Sequence, residues 1–189
     1  MRGQDRCKKL LWGFFCIPIL FLTGDVLAEN EMQKITSPMK VTSDAFKDGE
    51  LIPAEHTCDG KNISPLLRWK GAPAGTQSFA VLADDPDAPG GDWVHWVLYD
   101  LPPTVDMLPG GLPPDAKLAN AEKQGTNDYG KLGYGGPCPP SGVHRYLFKV
   151  YALDRMLGLE AGLRKKDLLK AMEGHVLGMG TLTGKYKRK

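Results

Sequence analysis

Residues 133–151 read Gly133-Tyr134-Gly135-Gly136-Pro137-Cys138-Pro139-Pro140-Ser141-Gly142-Val143-His144-Arg145-Tyr146-Leu147-Phe148-Lys149-Val150-Tyr151. Three prolines and four glycines within ten residues leave no room for a helix, and the run that follows alternates along a strand. Side chains two apart on a strand share a face. His144, Tyr146, Phe148 and Val150 therefore point one way, and Arg145, Leu147, Lys149 and Tyr151 the other. The first set grades from polar to apolar, as the mouth of a pocket floored by a core would.

Moving outward, residues 82–96 read Leu82-Ala83-Asp84-Asp85-Pro86-Asp87-Ala88-Pro89-Gly90-Gly91-Asp92-Trp93-Val94-His95-Trp96. A strand ends in a loop with four acids and two prolines. Proline fixes φ and restricts the residue before it, so this loop is stiff enough to hold a carboxylate in one orientation. The competing reading is a plain acidic turn whose aspartates cap backbone amides. On the strand beyond, the two-residue period places Trp93, His95, Val97 and Tyr99 on one face. A single histidine on such a face is ordinarily a satisfied core residue; two, each beside a Pro-rich loop, make a candidate pair.

The remainder is mostly β. Strands are expected at 40–45, 78–84, 93–100 and 145–153, separated by turns at Asp59-Gly60, Ala72-Pro73-Ala74-Gly75 and Pro109-Gly110-Gly111. One helix is expected over 164–177, with Leu168, Leu169, Met172 and Val176 at helical spacing, Lys165, Lys166 and Lys170 facing water, and Gly178 and Gly180 ending it. Residues 181–186 read as a last strand. The pattern predicts a β-sandwich or Greek-key sheet core with a few peripheral helices, one near the C-terminus.

The N-terminus has a basic head (Arg2, Arg6, Lys8, Lys9) and an apolar run over 10–24. Val26-Leu27-Ala28 then supplies the small residues a signal peptidase reads. Residues 1–28 are expected to be a signal peptide and 29–35 a linker, leaving a single domain over 36–189; a retained N-terminal anchor is the alternative. The expected location is the periplasm or outside the cell, with no stable membrane insertion after cleavage. Cleavage leaves 161 residues carrying 20 acidic and 20 basic side chains. A neutral domain argues against nucleic acid as a partner. Cys58 and Cys138 remain in the mature chain and could form a disulfide.

Amide, imidazole and phenol donors near the Gly-rich loop suit a phosphate or carboxylate. The alternative is an enzyme. Cys138 or Ser141 beside His144 would be nucleophile and base, but no G-x-S-x-G elbow exists. His95, His144 and Asp85 could in principle hold a metal. No zinc spacing is present, and neither a cofactor nor a metal is expected.

Asp85-Pro86-Asp87-Ala88-Pro89 followed by His95, and Gly135-Gly136-Pro137 followed by His144-Arg145-Tyr146, resemble the two signature blocks of the phosphatidylethanolamine-binding protein family. Thr57-Cys58-Asp59-Gly60, Asn62-Ile63-Ser64-Pro65-Leu66 and Gly136-Pro137-Cys138-Pro139-Pro140 resemble its bacterial, Raf-kinase-inhibitor-like branch. The resemblance covers about residues 36–188. It implies a sandwich-type β core and an anion pocket for phosphate or a phosphorylated head group, lined by Asp85, His95, Gly135, His144 and Tyr146. Asp87, Pro86, Pro89 and Pro137 would shape its loops, and Pro86 and Pro89 are the positions matching cis prolines in relatives. His95 and His144 would donate to the anion. A protein partner is the second kind of ligand it implies.

Overall fold

The computed structural model describes residues 37–119 and 122–188. The expected signal peptide and linker lie outside the described residues. Nine strands are described: β1 (Ser37–Pro38), β2 (Lys40–Thr42), β3 (Leu67–Lys70), β4 (Ser78–Asp85), β5 (Trp93–Leu101), β6 (Met107–Leu108), β7 (Lys123–Gln124), β8 (His144–Leu153) and β9 (Val176–Tyr186). A 3-10 turn spans Ala54–His56, and one helix, α1, spans Lys165–Met172. The strands form a six-stranded sheet in the order β1-β9-β8-β4-β5-β7 and a three-stranded sheet in the order β2-β3-β6.

The alternation of β4 and β8 decides how these layers stack. Phe79, Val81 and Ala83 of β4 and Tyr146, Phe148, Val150 and Ala152 of β8 face Val41, Leu67, Trp69 and Leu108 of the smaller sheet and form the main core. Ala80 and Leu82 point the other way and pack with Leu153 under Leu168 and Met172 of α1. β4 is buried along its whole length, as a strand covered on both faces must be.

The helix is shorter than its periodicity predicts. It stops at Met172, and Gly174 takes a left-handed φ of 76° just beyond. Val176 and Leu177 belong to β9, which is therefore longer than the expected 181–186. Gly178 and Gly180 do not end the helix. They sit inside β9 because another backbone crosses it: a Cβ on Gly178 would lie 2.8 Å from the Ser37 carbonyl oxygen, and one on Gly180 would collide with that of Met39. Lys165 also departs from expectation. Its ammonium is largely buried, donating to Asp84 and to Asp92.

Candidate functional site

Two strand ends and three loops meet around a hollow of about 260 Å³, whose walls include Asp85, Pro89, Trp93, His95, Tyr129, Pro139 and His144. The sequence blocks around residues 85 and 144 converge because β4 and β8 are antiparallel neighbours, with Asp84 opposite Leu147. At the end of that ladder Asp85 reaches across: its Oδ2 accepts a 2.8 Å hydrogen bond from His144 Nδ1, and both groups are buried. Asp85 Oδ1 accepts from the Asp87 amide at 2.8 Å, so both of its oxygens are engaged.

His95 arrives by a different device. Ala83 pairs with Trp96 while Asp84 pairs with Val94, so His95 is the extra residue of a β-bulge. The bulge moves it off the face that strict alternation assigns. Val97 and Tyr99 pack with Val94 in the cluster under α1, whereas the His95 ring lies edge-on to Tyr146, at 5.1 Å between centroids. The expectation that His95, Val97 and Tyr99 share a face is corrected accordingly. His95 is then fixed by a reciprocal pair: Nδ1 donates to the Gly135 carbonyl at 2.6 Å, and the Gly135 amide donates to the His95 carbonyl at 2.8 Å.

That pair changes the role open to the Gly-rich loop. The Gly135 amide is used by His95, and the Gly136 amide donates to Asn62 Oδ1 at 2.6 Å, so neither is free for a ligand. Gly135 borders a neighbouring, larger groove and not the small pocket. Its lack of a side chain matters to the pocket wall: a Cβ there would come 2.6 Å from the Tyr129 ring. Tyr129 thus packs against Gly135, edge-on to Trp93 and His95. Tyr129 has no precursor among the sequence candidates; its only signal was an aromatic residue in the polar turn Asn127-Asp128-Tyr129-Gly130.

Tyr146 lies beneath the pocket. It is 1% exposed, and its hydroxyl has no hydrogen-bond partner among the described residues. Burial, reinforced by the charge of Asp85, pushes the phenol well above its ordinary range, so it keeps its hydrogen. Burial holds His95 below the ordinary histidine range, although the Gly135 carbonyl and the charge of Asp85 favour the imidazolium.

The loop between β4 and β5 is held at both ends. Asp87 does not line the pocket. Its carboxylate takes the Arg145 guanidinium in a fork, Nε to Oδ2 at 2.8 Å and Nη2 to Oδ1 at 2.6 Å, together with the Arg145 amide at 2.9 Å. These bonds lower the Asp87 pKa to about 2. A depressed carboxylate stabilises the fold above its unfolded value of 3.8 and loses that contribution as pH falls towards about 2. Replacing Arg145 with methionine is therefore expected to flatten the loss of melting temperature over that acid range, as differential scanning fluorimetry would show. At the other end Lys165 ties Asp92 to the fully buried Asp84.

Pro89 lines the pocket and Pro86 turns the chain. Every peptide bond among the described residues is trans, so the cis prolines implied by the resemblance are absent at Pro86 and Pro89. The Asp85-to-Asp87 side-chain bond closes the turn with trans geometry instead. Pro137 is buried and its carbonyl accepts from the Cys58 amide at 3.1 Å. Cys58 and Cys138 are joined in a disulfide with Cα atoms 5.4 Å apart. Cys138 therefore has no free thiol to serve as the nucleophile of the enzyme reading. Among the described residues no group of three His, Cys, Asp or Glu side chains is placed to hold a metal ion, the Asp85, His95, His144 set included.

The tautomers follow from the partners. A carbonyl and a carboxylate can only accept, so both Nδ1 atoms carry hydrogen. In the neutral ring each Nε2 is then a bare acceptor and becomes a donor only on protonation. Each Nε2 therefore donates only while its ring is protonated.

The family model described as phosphatidylethanolamine-binding protein matches residues 42–187. A UPF0098 protein of Methanothermobacter thermautotrophicus is 52% identical over 150 residues, covering 79% of this chain and 99% of that relative. A UPF0098 protein of Aquifex aeolicus is 48% identical over 153 residues, covering 79% and 89%. Among solved structures, E. coli YbcL, described as a new member of the mammalian PEBP family, superposes with a TM-score of 0.75 at 38% identity over 80% of this chain and 99% of its own. The shared sandwich, the two sequence blocks and these matches lead to one conclusion: the chain belongs to the phosphatidylethanolamine-binding protein family.

Proposed function

We propose that this chain is an exported binding protein, periplasmic or secreted, whose small pocket takes an oxyanion together with a proton. The ligand class is phosphate or a phosphorylated head group, presented free or by a partner. Export rests on the basic head, apolar run and cleavage-type residues of 1–28. One observation carries the ligand class: two imidazoles stand in the wall of one pocket with their Nδ1 atoms held by a carbonyl and a carboxylate, which leaves Nε2 as the atom that can meet a ligand. A protonated imidazole supplies the charge and the donor an oxyanion needs. The charge of Asp85, which by itself repels an anion, is balanced when His144, bonded to it at 2.8 Å, takes the proton.

The sign of the pH dependence follows from the tautomers. The anion binds the protonated pocket, so affinity is high at acid pH and falls as pH rises. Titration with inorganic phosphate, followed by the imidazole 15N signals, is expected to shift His95 and His144 and to give at least about tenfold tighter binding at pH 6 than at pH 8. Unmoved histidine signals at both pH values would sink the reading.

A further inference from the structure

Tyr129 borders two hollows. On the side away from His95 lies the larger one, about 770 Å³, with walls from Asn62, Ile63, Leu112, Pro113, Lys131 and Tyr134 among others. The partition between them is one ring thick, since Tyr129 lies on Gly135 and its hydroxyl donates to the Gly136 carbonyl at 3.2 Å. The Cys58–Cys138 bond fixes the same boundary, with Cys58 in the wall of the large groove and Cys138 in that of the small pocket. A ligand filling the small pocket can therefore continue over Tyr129 into the groove without leaving the protein surface.

The chemistry of the groove selects what continues. An acyl chain calls for an unbroken apolar lining, and this one is interrupted by Asn62, Ser64 and Lys131. Proline and tyrosine side chains beside exposed polar groups suit an extended peptide, whose backbone needs both. Lys131 is exposed and its ammonium makes no ion pair among the described residues, so it complements a second acidic group.

We propose that the two hollows form one site for an extended acidic peptide. A phosphoryl or carboxylate side chain enters the small pocket, the backbone crosses Tyr129, and the neighbouring residues lie in the larger groove with an acid facing Lys131. This rests on the oxyanion reading of the small pocket and names the ligand that carries the oxyanion.

The test compares inorganic phosphate, O-phosphoserine, peptides of about six residues carrying one phosphoserine or one glutamate beside further acids, and a lysophospholipid, all against the full mature protein. At least one of the two peptide types is expected to bind about tenfold or more tighter than O-phosphoserine, and the two types distinguish a phosphoryl from a carboxylate source. Lys131→Glu on the exposed rim should abolish the peptide's gain and leave phosphate affinity unchanged. Leu112→Trp, with folding checked by its melting temperature, should do the same by filling the groove. Peptides no tighter than O-phosphoserine would overturn the groove while sparing the pocket. A lysophospholipid that gains as much as the peptides, with no loss in Lys131→Glu, would overturn the peptide in favour of a lipid. Failure of phosphate itself to bind would remove the pocket reading and this proposal with it.

Discussion

Replacing Asp85 with asparagine is expected to tighten sulfate binding at pH 8 by about tenfold and to flatten its dependence on pH. Sulfate keeps its double charge over this range, so the protein's own protons are what the slope reads. In the native site Asp85 Oδ1 accepts from the Asp87 amide and Oδ2 from His144 Nδ1. The Asp87 amide still needs an acceptor in the variant, which holds the asparagine oxygen where Oδ1 was. The asparagine nitrogen then faces His144 Nδ1 and donates to it. The imidazole proton moves to Nε2, which becomes a donor without any proton uptake, and a negative charge is lost beside the anion. A purely structural role for Asp85 predicts the opposite, weaker binding at every pH, so isothermal titration at pH 6 and pH 8 separates the two.

Phe148→Ala is expected to cost about 3–5 kcal/mol of stability, the range for emptying a buried phenylalanine site. Phe148 is 1% exposed and stands mid-way along β8, with Ala83 of β4 and Leu182 of β9 beside it and the Phe46 ring 5.7 Å away. It belongs to the core between the two sheets, where strand backbones paired on both sides leave little freedom to collapse into the void. Against a typical domain stability of about 5–15 kcal/mol this is a large fraction. The melting temperature should drop by about 10 °C or more, and urea unfolding should show the loss in the midpoint. A loss under about 1 kcal/mol would mean that the residue is not where the alternation of β8 places it.

That alternation was the most legible feature of the chain. The strands expected at 78–84, 93–100 and 145–153 lie within a residue of those bounds, because each is long and its two faces are buried in different layers, whereas the one expected at 40–45 stops at Thr42. The meeting of Asp85 with His144 was legible as far as the two blocks could be recognised, and antiparallel pairing of β4 with β8 completes it. His95 was not legible in the same way. A two-residue period assumes an unbroken ladder, and the bulge at His95 turns the ring to the Tyr146 side, where the period alone would leave it with Val97 and Tyr99. The helix was overextended for a related reason: Val176 continues its spacing, but Gly174 has already reversed the chain. Gly178 and Gly180 looked like punctuation and are instead the flat places over which residues 37–39 run. The glycine-loop amides looked like anion donors, but they are spent on partners distant in sequence, the His95 carbonyl and the Asn62 side chain. Tyr129 carried almost no signal, since an aromatic in a polar turn acquires its meaning from Gly135 beneath it.

The reading depends most on the anion and the proton arriving together. Calorimetric titration of the mature protein with sulfate at pH 7, repeated in buffers of different ionisation heat, counts the protons exchanged on binding. Uptake of about one proton per sulfate is the expected result. Saturable binding with no proton taken up would contradict it, because an Nε2 donor would then already be present before the anion arrives.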